Sequence, residues 1–145
     1  MPRALIIEAR FYEDIAEMLL AGARATLAER GFSHETITVP GVLEIPSALS
    51  MAIQASRRRD LAFDAFVVLG CVIRGETGHY DIVAVEGNRA IVNIAVEGRL
   101  ALGNGILTVE NREQAVVRAD PQQKDKGGDA AAAAIALFDL RHALG

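Results

Sequence analysis

At 145 residues, 51% of them apolar and 23% charged, the chain suits one soluble globular domain, residues 1–145, with room for a sizeable core. A net charge of −4 argues against a nucleic-acid surface, and the densest basic cluster, Arg57-Arg58-Arg59, suits a helix end where cations offset the macrodipole. Apolar runs stop far short of the roughly twenty residues that span a bilayer, no signal-peptide pattern opens the chain, and the lone Cys71 makes a reduced cytoplasm the natural setting.

Strand and helix signals alternate from end to end. Ala4 to Ala9 reads as a short apolar strand, and Tyr12 to Glu29 has helical spacing through Ile15, Met18, Leu19 and Ala23, with Gly31 as its terminator. Thr36 to Val39 is a second strand. Pro46 to Arg59 is a second helix, with Pro46 in the first turn, where its missing N–H costs nothing. Ala65 to Ile73 is rich in β-branched residues and reads as a strand buried on both faces. His79 to Glu97 follows as a helix with two apolar stripes. Tyr80, Val83, Gly87, Ile91 and Ile94 should face the sheet; Val85, Val92 and Val96, on the far side, suit a subunit contact. Gly105 to Val109 makes a fourth strand, Asn111 caps a short helix to Ala119, and Asp129 to Leu144 is the last helix. Repeated βα units predict an α/β fold: a four-stranded parallel sheet with helices on both faces.

Such sheets place their chemistry in the loops at the carboxyl ends of the strands. Phe11 directly follows the first strand, either as a core residue or with its face offered to a flat heterocycle. Pro40-Gly41-Val42-Leu43-Glu44-Ile45-Pro46 is a rigid turn after the second. Its Glu44 is open to two roles, partner of a helix dipole or acceptor for a polyol. After the third strand comes Arg74-Gly75-Glu76-Thr77-Gly78-His79-Tyr80-Asp81. Loop N–H groups and a helix amino end suit an anion there. His79 is either a capping residue or a proton carrier, the dipole favouring the neutral imidazole that a base requires. The pairing of anion cradle and imidazole points to an enzyme acting on a small phosphorylated substrate. Arg118 and Lys126 are either solvated surface residues or phosphate ligands, guanidinium being well suited to that grip. His34 and His142 read as surface residues, and three scattered histidines with one cysteine do not form a metal-site pattern.

Taken together, three motifs resemble the 6,7-dimethyl-8-ribityllumazine synthase family, nearly end to end. They are Pro40-Gly41-x-x-Glu44-Ile45-Pro46, then Gly70-x-x-Ile73-Arg74-Gly75-x-Thr77-x-His79-Tyr80-Asp81, and last Gly105-Ile106-Leu107-Thr108 followed by Glu113-Gln114-Ala115 and Arg118-Ala119. The resemblance implies a flavodoxin-like three-layer sandwich. It also implies a condensation of 5-amino-6-(D-ribitylamino)uracil with 3,4-dihydroxy-2-butanone 4-phosphate, needing no metal or redox cofactor. On that resemblance Phe11 stacks on the pyrimidine, and Val42, Leu43 and Glu44 line the ribityl chain. Cys71, Val72 and Ile73 meet the heterocycle through backbone groups, Glu76 and Thr77 hold the phosphate, and His79 moves the proton. Asn104 and Arg118 reach the site from a neighbouring subunit, and Lys126 matches a lysine close by.

The family's shared unit is a ring of five, and in some members rings close into a sixty-subunit shell. Here Asp120-Pro121-Gln122-Gln123-Lys124-Asp125 replaces the glycine-rich connection common in the shell formers, and Leu43 replaces a bulkier or aromatic residue. Two other functional classes share the outline. One is a non-catalytic relative that binds lumazines or flavins. The other is a flavodoxin-like electron carrier, which usually has a Ser/Thr-rich phosphate loop after its first strand, where this chain has Ala9-Arg10-Phe11-Tyr12.

Overall fold

In the computed structural model, which describes residues 1–59 and 62–145, the order is β1 (Arg3–Ala9), α1 (Glu13–Glu29), β2 (Ser33–Val39), α2 (Ile45–Arg59), β3 (Ala65–Ile73), α3 (His79–Gly98), β4 (Leu102–Val109), α4 (Arg112–Ala119) and α5 (Lys126–Leu144). A single 3-10 turn, Val42–Glu44, joins β2 to α2. Of the basic triplet at the end of α2, the side chains of Arg58 and Arg59 lie outside the described residues.

The strands form one parallel sheet in the order β2-β1-β3-β4, with Ala4 opposite Ala65 and Val68 opposite Asn104. β3 has a strand on each side and is buried from Ala65 through Gly70, as its unbroken apolar sequence requires. Even-numbered β1 residues Ala4 and Ile6 pack with α1, α4 and α5, among them Leu19, Ala115 and Ile135. Odd-numbered Leu5 and Ile7 pack with α2 and α3 through Leu49, Val83 and Ile91. The result is the flavodoxin-like three-layer sandwich, with a core on each face of the sheet.

Local signals account for several boundaries. Gly31 takes φ +80 just beyond α1, the left-handed position that stops a helix, and the Asn111 side chain accepts from Gln114 N–H at 2.9 Å to start α4. The sheet-facing stripe of α3 is buried at Val83, Gly87 and Ile91, while Val85 and Val96 on the far side are 53% and 73% exposed.

Three elements begin three residues earlier than the sequence suggests. β2 starts at Ser33 rather than Thr36, its polar Ser33-His34-Glu35 pairing with Arg3, Ala4 and Leu5 of β1. β4 starts at Leu102 rather than Gly105, and α5 at Lys126 rather than Asp129. Glycines at 103, 127 and 128 read locally as breakers, yet packing requires them. A Cβ on Gly103 would overlap the carbonyl of Ala130 in α5, and one on Gly127 would overlap the carbonyl of Leu19 in α1. Here close backbone approach outweighs propensity.

Gly103→Ala is therefore expected to destabilise the fold by about 3 kcal/mol, because Ala130 cannot retreat without lifting α5 off the sheet. Urea unfolding measures this, and an unchanged midpoint would contradict the packing account.

Candidate active site

The ends of β1, β2 and β3 open into one cleft of about 450 Å³. The β1–α1 turn supplies Phe11 and Tyr12, and the β2–α2 turn supplies Gly41, Val42, Leu43 and Glu44. The end of β3 supplies Cys71, Val72 and Ile73, and the following loop and helix supply Gly75, Thr77, His79, Tyr80 and Val83.

Phe11 is 74% exposed, its ring edge-on to Tyr12 at 4.9 Å between centroids. An aromatic face left this open beside a cleft is suited to stacking on a flat ligand. Val42 is buried beneath the cleft against Gly70 and Gly87, where a Cβ would lie 2.8 Å and 3.1 Å from its methyl groups. Leu43 and Glu44 point outward, and the Glu44 carboxylate has no hydrogen bond or ion pair among the described residues. That leaves it free to accept from hydroxyl groups.

The β3–α3 loop is fastened at its root. Arg74 N–H donates to the Val109 carbonyl at 2.9 Å. Its guanidinium lies 4.3 Å from the Tyr80 ring centroid, donates to Glu110 at 2.9 Å and sits 3.7 Å from Asp81. Beyond that anchor nothing lies within 4 Å of where a Cβ would stand on Gly75 or Gly78, so the loop backbone is open to approach. The Thr77 hydroxyl accepts from His79 N–H at 3.3 Å and keeps its own proton to donate. His79 opens α3, exposed, with an imidazole that has no hydrogen-bond partner among the described residues. The helix amino end and its unfilled N–H groups present positive potential to an anion.

The cleft thus gathers Phe11, Val42, Leu43, Glu44, Cys71, Val72, Ile73, Thr77 and His79 of the residues singled out from sequence. Glu76 is exposed in the same loop but does not line the cleft. Asn104 and Lys126 border a separate depression beside β4 and α5, where Lys126 lies 3.5 Å from Asp129. Asn104 bonds Asn88 on α3 at 2.8 Å and accepts from Ile106 N–H. Arg118 sits half-buried on α4, donating to the Gln114 carbonyl at 3.1 Å. Sequence reasoning missed Tyr12, Tyr80 and Val83 as lining residues. Tyr12 had the signal of following Phe11 and Tyr80 that of standing in the loop motif, whereas Val83 was read only as part of a core-facing stripe.

Fold and cleft together define a flavodoxin-like α/β protein with an open cleft of mixed aromatic, apolar and polar lining at the carboxyl edge of its sheet. A family model described as 6,7-dimethyl-8-ribityllumazine synthase matches residues 1–142. Relatives of that name are similar along their whole length: one from Zymomonas mobilis is 54% identical over 144 residues, 99% of each chain. Another from Sphingopyxis alaskensis is 52% identical over 145 residues, covering 100% of this chain and 99% of its own. One from Novosphingobium aromaticivorans is 55% identical over 141 residues, 97% of each. The chain belongs to the 6,7-dimethyl-8-ribityllumazine synthase family.

Cys71 faces the cleft, but burial pushes its thiol up to about 12, so it stays protonated at neutral pH and is no nucleophile. Iodoacetamide at pH 8 is expected to alkylate the native protein at least about a hundredfold more slowly than the urea-unfolded chain, since the thiolate is the reacting form. Equal rates, followed by mass spectrometry, would refute this.

Proposed function

We infer that this protein is a transferase of riboflavin biosynthesis. It condenses 5-amino-6-(D-ribitylamino)uracil with 3,4-dihydroxy-2-butanone 4-phosphate to give 6,7-dimethyl-8-ribityllumazine, phosphate and two waters. The observation that carries this reading is the convergence of three separate loops on one cleft, in a chain similar over its full length to proteins of that name.

The chemistry matches the groups present. The substrate's primary amine condenses with the ketone to an imine and water. Phosphate then leaves by β-elimination and the resulting enol becomes a ketone, to which the ribityl-bearing nitrogen adds before losing the second water to close the ring. Both reactants are already reactive, so holding them in register supplies most of the acceleration. Phe11 stacks on the pyrimidine, Val42, Leu43 and Glu44 follow the ribityl chain, and backbone groups of Cys71, Val72 and Ile73 hydrogen-bond the ring edge. The Gly75–Gly78 loop, with Glu76 and the Thr77 hydroxyl, cradles the phosphate at the start of α3. His79 shuttles protons between the nitrogen and oxygen atoms of the condensation.

Asn104, Arg118 and Lys126 act from a neighbouring subunit, which agrees with their lying outside the chain's own cleft. The exposed valines of α3, joined by Ile82 at 57% exposure, supply an apolar surface for such a contact. The assembly is a homo-oligomer, a pentamer or a shell of pentamers, acting as a cytoplasmic enzyme on small molecules, with no nucleic-acid or membrane partner and no cofactor. No helix among the described residues is long and apolar enough to cross a membrane.

Mixing the protein with both substrates and following lumazine absorbance tests the reaction; binding without turnover would identify a carrier instead. His79→Ala is expected to lower kcat about a hundredfold. Arg118→Ala is expected to raise KM for the butanone phosphate about tenfold, with little change in KM for the pyrimidine. Unchanged kinetics in both would remove these roles. Light scattering should give a mass of five protomers or a multiple of it. Val92→Asp, which places a charge in the exposed α3 stripe, should yield monomers; an intact oligomer would place the contact elsewhere.

A further inference from the structure

Among the described residues one charged side chain is buried in the core: Glu8, 2% exposed, the one polar residue of β1 after Arg3 and next to its carboxyl end. A carboxylate withdrawn from water is costly unless paired and hydrogen-bonded. Its Oε2 accepts from Arg10 Nε at 2.6 Å and from the Thr38 hydroxyl at 2.7 Å, whereas Oε1 has no partner among the described residues. Arg10 carries the connection onward: its second donor, Nη2, bridges to Glu17 on α1, and its own N–H donates to the Val39 carbonyl at 3.3 Å. Both carboxylates hold the Arg10 guanidinium above its usual range, the hydrogen bond it donates to Glu8 contributing most.

This network ties β1, β2 and α1 together at the residue immediately before Phe11. Phe11 itself has little to hold it, being mostly exposed and touching a ring only at Tyr12. An apolar residue at position 8 would continue the pattern of Ala4 and Ile6, with no half-paired carboxylate to bury. We propose that Glu8 is a positioning residue: through Arg10 it fixes the β1–α1 turn and so aims the Phe11 ring into the cleft, setting affinity for the flat, heterocyclic substrate. This rests on the stacking role given to Phe11 above.

The chain contains no tryptophan, so Phe11→Trp gives a single reporter at the site itself. Time-resolved fluorescence anisotropy of the full-length Phe11→Trp protein, without substrate, is compared with that of the Phe11→Trp/Glu8→Gln protein. The second change is expected to increase the amplitude of fast local motion at position 11. In the otherwise unaltered protein, Glu8→Gln should raise KM for the ribitylaminouracil about tenfold and leave KM for the butanone phosphate and kcat within about twofold. In a Phe11→Ala background the same change should have no further effect on KM.

Should Glu8→Gln fail to fold, Glu17→Gln, at a solvent-exposed position, removes the other anchor of Arg10 and should shift the same quantities less and in the same direction. Unaltered anisotropy, or an equal rise in both KM values, would overturn the proposal. Absence of turnover in the unaltered protein would instead overturn the reaction assigned above, and the anisotropy comparison would still judge the latch.

Discussion

Everything at the site follows from the reversal of strand order between β1 and β3. With the sheet running β2-β1-β3-β4, the chain leaves β1 toward one face of the sheet and leaves β3 toward the other. The two connections diverge, and a crevice opens at their carboxyl ends that neither loop can fill. The aromatic pair Phe11 and Tyr12 lies on one side of it and the Gly75–Tyr80 loop on the other, with the turn after β2 bordering the cleft as well. Helix α3 begins at this edge, directly after the loop that leaves β3, so its positive end lies beside the crevice.

The opposite side of the sheet is organised by contact distance. Glycine in β4 and at the start of α5 lets backbone meet backbone, which holds α5 against both the sheet and α1. Asp125 takes φ 47 and accepts from Gly128 N–H at 3.2 Å, completing the turn into α5. Side chains of Gln122 and Gln123 lie on the preceding turn, where bonds from the Gln123 amide and the Gln122 N–H hold the Asp120 carboxyl below its ordinary range. The segment from Asp120 to Asp125 is thus an ordered turn with its own hydrogen bonds.

Legibility from sequence divides along the same line. β3, the sheet-facing stripe of α3, the glycine stop after α1 and the Asn111 cap were readable because hydrophobic period and local hydrogen bonding decide them. The early starts of β4 and α5 were not, because the decisive term is a carbonyl from an element far away in sequence. Glu8 hides for a similar reason: in a run of Leu, Ile and Ala it looks like a stray edge charge, and only pairing with Arg10 and Thr38 gives it a buried role. That Phe11, Glu44, Thr77 and His79 share one edge was readable because each lies in, or at the end of, a connection leaving the carboxyl end of a strand. Asn104, Arg118 and Lys126 sit on β4, α4 and α5, outside the chain's own cleft; in the assembly proposed above they meet it from a second copy, a relation that periodicity within one chain does not encode.

The chemical character of the cleft bears on how the proposed reaction is accelerated. Burial disfavours the thiolate of Cys71, and in the reaction proposed above the attacking atom is the substrate's own amine. The cleft is lined by an aromatic face, a carboxylate, a hydroxyl and an imidazole distributed over three loops. Such a site works by register: two substrates must arrive with amine and ketone at reacting distance, and a displacement of about 1 Å can cost on the order of a hundredfold. The rigidity of the three loops then matters as much as the identity of the groups they carry. Arg74 clamped between Tyr80 and Glu110, and Arg10 clamped between Glu8 and Glu17, are two instances of one device. In each, a guanidinium paired with carboxylates holds a loop from behind, so that its own charge is spent on geometry and the ligand meets the groups in front of it.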